Sequence, residues 1–87
     1  MKAIIEKRTQ SPSGTWPKQG PDHYIAVQVV PGGVEPLKTL NRDAARRRGI
    51  EIIRCGEYYG RSVGPRSLYA KALESARGIA AKINGDA

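Results

Sequence analysis

With 87 residues and Lys plus Arg outnumbering Asp plus Glu by 15 to 8, the chain is small and strongly basic, at formal net charge +7. The length fits one domain with a modest core, and a second independent one is not expected. No stretch approaches the roughly 20 consecutive apolar residues that a membrane-crossing helix needs, and a charge of this sign points to polyanions or acidic partners.

The first residues, "MKAIIEKRTQ", turn charged after three apolar side chains and lack the apolar region of a signal peptide. A single cysteine, Cys55, excludes an internal disulfide. Together these lead us to expect a protein of the reducing cytoplasm. The apolar set is aliphatic, without Phe, so the core should be thin and dimerisation would help it.

In chain order, "KAIIEKRT" and "YIAVQVV" alternate at period two, which predicts two strands with Ile25, Val27 and Val29 on one face and Tyr24, Ala26 and Gln28 on the other. Between them, Pro12, Gly14, Pro17, Gly20 and Pro21 defeat helix and central strand alike, predicting a long mobile loop over residues 10–23. After "PGG", the segment "VEPLKTL" is held extended or turn-like by Pro36. In "NRDAARRRG", Asn41 or Thr39 is placed to cap a short basic helix and Gly49 to close it, with Asp43 and Arg46 to Arg48 complementing its dipole. "IEIIRC" predicts a third strand that Tyr58 and Tyr59 extend. From Pro65 to Asn84, Leu68, Tyr69, Ala72, Leu73, Ala76, Ile79, Ala80 and Ile83 form one apolar stripe of a long helix, with Pro65 in its first turn. The fold class expected is α+β: a three-stranded antiparallel sheet packed against one long C-terminal helix, with a short basic helix before strand three.

Two basic constellations stand out on this frame. Between Lys38 and Arg66 the chain carries eight basic residues against Asp43, Glu51 and Glu57. Most are arginines, which bond phosphate bidentately. Arg42, Arg46, Arg47 and Arg48 should spread over more than one side of a short helix. The second constellation is "GEYYGRSVGPRS", which leads from strand three to the N-terminus of the long helix, where unpaired N–H groups attract anions. There Arg61 and Arg66 flank Ser62 and Ser67, which could donate to an oxyanion. Gly60 to Gly64 is one residue short of a P-loop and Pro65 stands where its lysine should follow, so nucleotide hydrolysis is not expected. The same stretch also reads as a plain strand-to-helix joint with solvated arginines.

Trp16, beside Lys18, suits stacking on a base or anchoring a partner, or else covering one sheet face. Tyr58 and Tyr59 should point to opposite faces, leaving Tyr59 for contact. His23 has only Cys55 as a nucleophilic thiol to meet, and Cys55 beside Ile53 reads as structural, so no enzyme is expected. No His, Cys, Asp or Glu cluster has metal-ligand spacing, and neither metal nor cofactor is implied.

The run "PLKTLNRDAARRRGIEIIRCGEYYGRSVGPRSLYAKAL" resembles short uncharacterised proteins carried by bacteriophages and mobile elements. That resemblance implies one of two roles: binding nucleic acid, or binding a host protein to block defence, as small anti-CRISPR proteins do. The function expected is nucleic-acid binding (DNA or RNA), with phosphates contacted through Lys38, Arg42, Arg46, Arg47, Arg48, Arg61, Arg66, Ser62 and Ser67, and Trp16 or Tyr59 stacking. The alternative is an interaction module for an acidic host protein.

Overall fold

A computed structural model describes residues 1–9, 21–38 and 41–85. The elements follow the expected order: β1 (Lys2–Thr9), β2 (His23–Val30), α1 (Arg42–Arg48), β3 (Glu51–Tyr58) and α2 (Leu68–Asn84). The sheet order is β1-β2-β3, with both pairings antiparallel. Residues 10–20 of the loop expected over 10–23 lie outside the described residues, and His23 already belongs to β2.

β2 is the central strand, and its sequence shows why. Ile25 to Val30 are all buried, because both faces of the sheet are covered. One face carries Ile25, Val27 and Val29 against Ala72, Ala76 and Ala80 of α2. These alanines recur every four residues and so form one ridge, and their short side chains let the helix lie close to the sheet. The closest approach is at Gly56. A Cβ built there would stand 2.7 Å from the Cβ of Ala72. At the edge of this core the Lys7 ammonium sits 5.0 Å from the centre of the Tyr69 ring, and its pKa is raised, chiefly by hydrogen bonding to Tyr69.

The opposite face is covered by a layer that α2 does not supply. Val30 packs there with Leu37, Ala45 and Ile50. Gln28, fully buried, fastens the layer: its Nε2 donates to the Leu37 carbonyl and its Oε1 accepts from the Leu37 N–H, each at 3.0 Å. Both ends of the buried amide are thereby satisfied, the condition for placing such a group in a core. Asn84 uses the same geometry at the far end of α2, accepting from the Ala3 N–H at 2.9 Å and donating to the Ala3 carbonyl at 3.2 Å.

The pairing of β2 with β3 slips between Ile25 and Ala26, since Ile25 faces Gly56 while Ala26 faces Arg54. Cys55 is the extra residue of this β-bulge. Arg54 and Glu57 are left on one face and form an ion pair across it.

Helix α1 is short but fully punctuated. Asn41 is its cap, accepting from the N–H groups of Asp43 and Ala44, and Gly49 closes it in the left-handed region at φ 73°. Helix α2 begins at Leu68, not in the first turn expected at Pro65. Ser67 stops it there: its hydroxyl accepts from the Ala70 N–H at 3.1 Å and donates to the Gly64 carbonyl at 2.8 Å. Among the described residues, no helix is long and apolar enough to cross a membrane.

Candidate nucleic-acid interface

Helix α1 turns its residues in three directions. Ala45 points down into the core. Arg42 and Arg46, one turn apart, share a side and line a cleft of about 440 Å³ with Tyr24, Ala45, Ile50, Ile52 and Arg54. Arg48 lies on the other flank, in a separate groove with Lys38, Asn41 and Ala44. Arg47 is exposed and its Nε donates to the Asp43 carbonyl at 3.4 Å. The four helix arginines are thus divided, as their spacing predicted.

The cleft has a distinct chemistry on each wall. Ala45, Ile50 and Ile52 supply apolar surface. Tyr24 and Arg54 face each other in stacked contact, with the guanidinium carbon 4.5 Å from the ring centre. Arg54 is also paired with Glu57, so its charge is largely matched. Arg42 and Arg46 differ from it. Among the described residues neither guanidinium has an ion-pair or hydrogen-bond partner, whereas Arg8 is paired with Glu6 at 3.5 Å and donates to the Lys38 carbonyl at 3.3 Å.

The glycine-rich joint lies beyond Tyr58, at the end of β3 away from Gly49. Gly60 is fixed by Asp22, whose Oδ1 accepts from its N–H at 2.8 Å, and Ser62 N–H donates to the Tyr59 carbonyl at 2.9 Å in a tight turn. Arg61 and Arg66 are exposed and neither lines the Tyr24 cleft. Ser67 commits its hydroxyl to the α2 cap, so the joint offers an oxyanion fewer donors than its composition promises. Ser62 borders a groove formed with Val63, Gly64, Pro65, Tyr69 and Leu73. Tyr59 points outward at 50% exposure, while Tyr58 is buried against His23 and Tyr69. Trp16 lies outside the described residues.

Tyr24 and Arg54 line the cleft without having been expected there. The period-two pattern places Tyr24 on the face opposite Ile25, but only the bulge at Cys55 brings Arg54 over its ring. Gly56 within a strand was the available signal, since glycine there marks a bulge or a close approach.

The remaining reactive groups have structural surroundings. Cys55 packs beside Ile53 against the α2 core, its thiol donates to the Ile53 carbonyl at 3.6 Å, and burial pushes its pKa up. His23 is flanked by Asp22, Thr9 and Tyr58. Among the described residues no group of three or more His, Cys, Asp or Glu could hold a metal ion. No protein-family model, curated protein or solved structure matches the chain.

Proposed function

We propose that this protein binds nucleic acid, contacting phosphates through its arginines, and that it acts by binding without catalysis. The observation that carries the reading is the pair Arg42 and Arg46, unpartnered among the described residues, on the rim of a cleft walled by Tyr24 and Arg54. Guanidinium groups engaged in no ion pair or hydrogen bond keep their donors for an incoming anion, and an arginine fork matches a phosphate. Arg48 with Lys38 adds positive charge on the other flank of α1, and Arg61 and Arg66 add it at the joint beyond β3, under a net charge of +7.

Titration against labelled single-stranded DNA, duplex DNA and RNA at several salt concentrations tests this. The expected result is micromolar or tighter binding that weakens steeply with salt and is reduced in the Arg42→Ala/Arg46→Ala variant. No binding at low salt would reject the reading.

A second reading, a protein-binding module, is favoured by one observation. Tyr59, Val63 and Leu68 are exposed at 50%, 84% and 46%, all around one joint. Large apolar groups gathered at a surface suit a protein partner. Val63→Asp would abolish such an interaction and leave oligonucleotide binding intact.

A further inference from the structure

We infer that the cleft between α1 and the sheet receives an unpaired base, so that the preferred ligand is single-stranded nucleic acid. This rests on the nucleic-acid reading above and goes further, because phosphate contact alone does not distinguish strand forms.

The inference follows from where the chemistry sits. The flat groups of the cleft, the Tyr24 ring and the Arg54 guanidinium, are side by side with apolar Ile50, Ile52 and Ala45, and the unmatched cations stand on the α1 rim. Apolar and π surface in the pocket with positive charge at its mouth is complementary to a nucleotide, whose base is flat and weakly polar and whose phosphate is anionic. Within a duplex the base faces are covered by their neighbours, and a protein reaches only the edges and the backbone. A concave pocket of this composition therefore matches a base taken out of the stack or never in one.

Each residue has a separate role. Arg54, already held by Glu57, supplies a plane more than a charge, and it fixes the orientation of Tyr24. Arg42 and Arg46 take the phosphates on either side of the seated base.

The test compares two oligomers of equal length and charge, an oligothymidine and one whose central nucleotides are abasic, with a hairpin duplex as third probe. The protein should bind oligothymidine about 5- to 150-fold more tightly than the abasic oligomer, the range set by stacking of one base, and more tightly than the hairpin. Tyr24→Leu, which keeps the apolar wall, should remove most of that difference, and Tyr24→Trp should retain it. Equal binding of oligothymidine and abasic oligomer by the unaltered protein overturns the inference while leaving phosphate binding intact. A preference for oligothymidine that persists undiminished in Tyr24→Leu also overturns it, since the base would then be read elsewhere. No binding of any probe overturns both this inference and the function it rests on.

Discussion

Gln28 and Leu37 exchange two hydrogen bonds of 3.0 Å each, side-chain amide to backbone, in a fully buried position on the central strand. The segment between β2 and α1 thereby acts as a fragment of strand whose partner is a side chain. Since Ala45 and Ile50 pack in the same layer as Leu37, this pair also sets where the arginines of α1 stand.

Gln28→Leu should destabilise the protein by about 2 to 5 kcal/mol, because the Leu37 N–H and C=O are both left without a partner inside the core. Gln28→Glu, which keeps the shape but places a carboxylate beside a carbonyl, should destabilise as well. Urea denaturation of the three proteins measures this, and the Leu37 amide should show much faster hydrogen exchange in the leucine variant.

Gly56→Ala should cost about 1 to 3 kcal/mol, because its new Cβ would stand 2.7 Å from that of Ala72. Combining it with Ala72→Gly should cost less than the two single changes added together, the sign of two residues that touch directly. A double-mutant cycle in urea gives the coupling. Simple additivity would mean that α2 does not rest on β3 at this point.

Arg42→Ala/Arg46→Ala should lower the slope of log affinity against log salt by about 1.4 on a single strand, at about 0.7 for each phosphate no longer neutralised. Arg8→Ala, which removes a cation already paired with Glu6, should change the slope far less. Fluorescence anisotropy over a salt series measures both. Equal effects would show that total charge, not the cleft, governs affinity.

Cys55 should be alkylated more slowly in the native protein than in the denatured chain at the same pH, because burial raises its pKa and keeps the thiol protonated. The sign for stability follows from the same shift. The folded state holds its proton to higher pH, so stability falls as the pH rises above the unfolded thiol's pKa. Iodoacetamide rates with and without urea test the first part, and the absence of that pH dependence in Cys55→Ala tests the second.

The elements were legible because each rests on local chemistry. Period-two β-branched runs make β1, β2 and β3, the alanine and leucine spacing makes α2, and Asn41 and Gly49 punctuate α1. What pairs residues across the sheet was not legible. The covering of Gln28 depends on where Leu37 folds back, and no local feature of "VEPLK" states it. Arg54 meets Tyr24 only because a bulge shifts the register after Ile25, so its place in the cleft belongs to pairing and not to pattern. Ser67 shows the opposite case: its hydroxyl looked available to a ligand, but the orphan N–H of Ala70 was nearer.

The hydrogen bonds between Asn84 and Ala3 span 81 positions of the chain, and they bear on how the molecule comes together during synthesis. Ala3 offers its N–H and carbonyl on the outer edge of β1, a place where strands of other molecules can add. The side chain that covers them is translated near the end of the described chain, so β1 and β2 emerge from the ribosome with that edge still open. Mutation of Asn84 would prolong the open interval for the lifetime of the protein. The damage should then appear as association between chains at high concentration before it appears as a loss of folded structure.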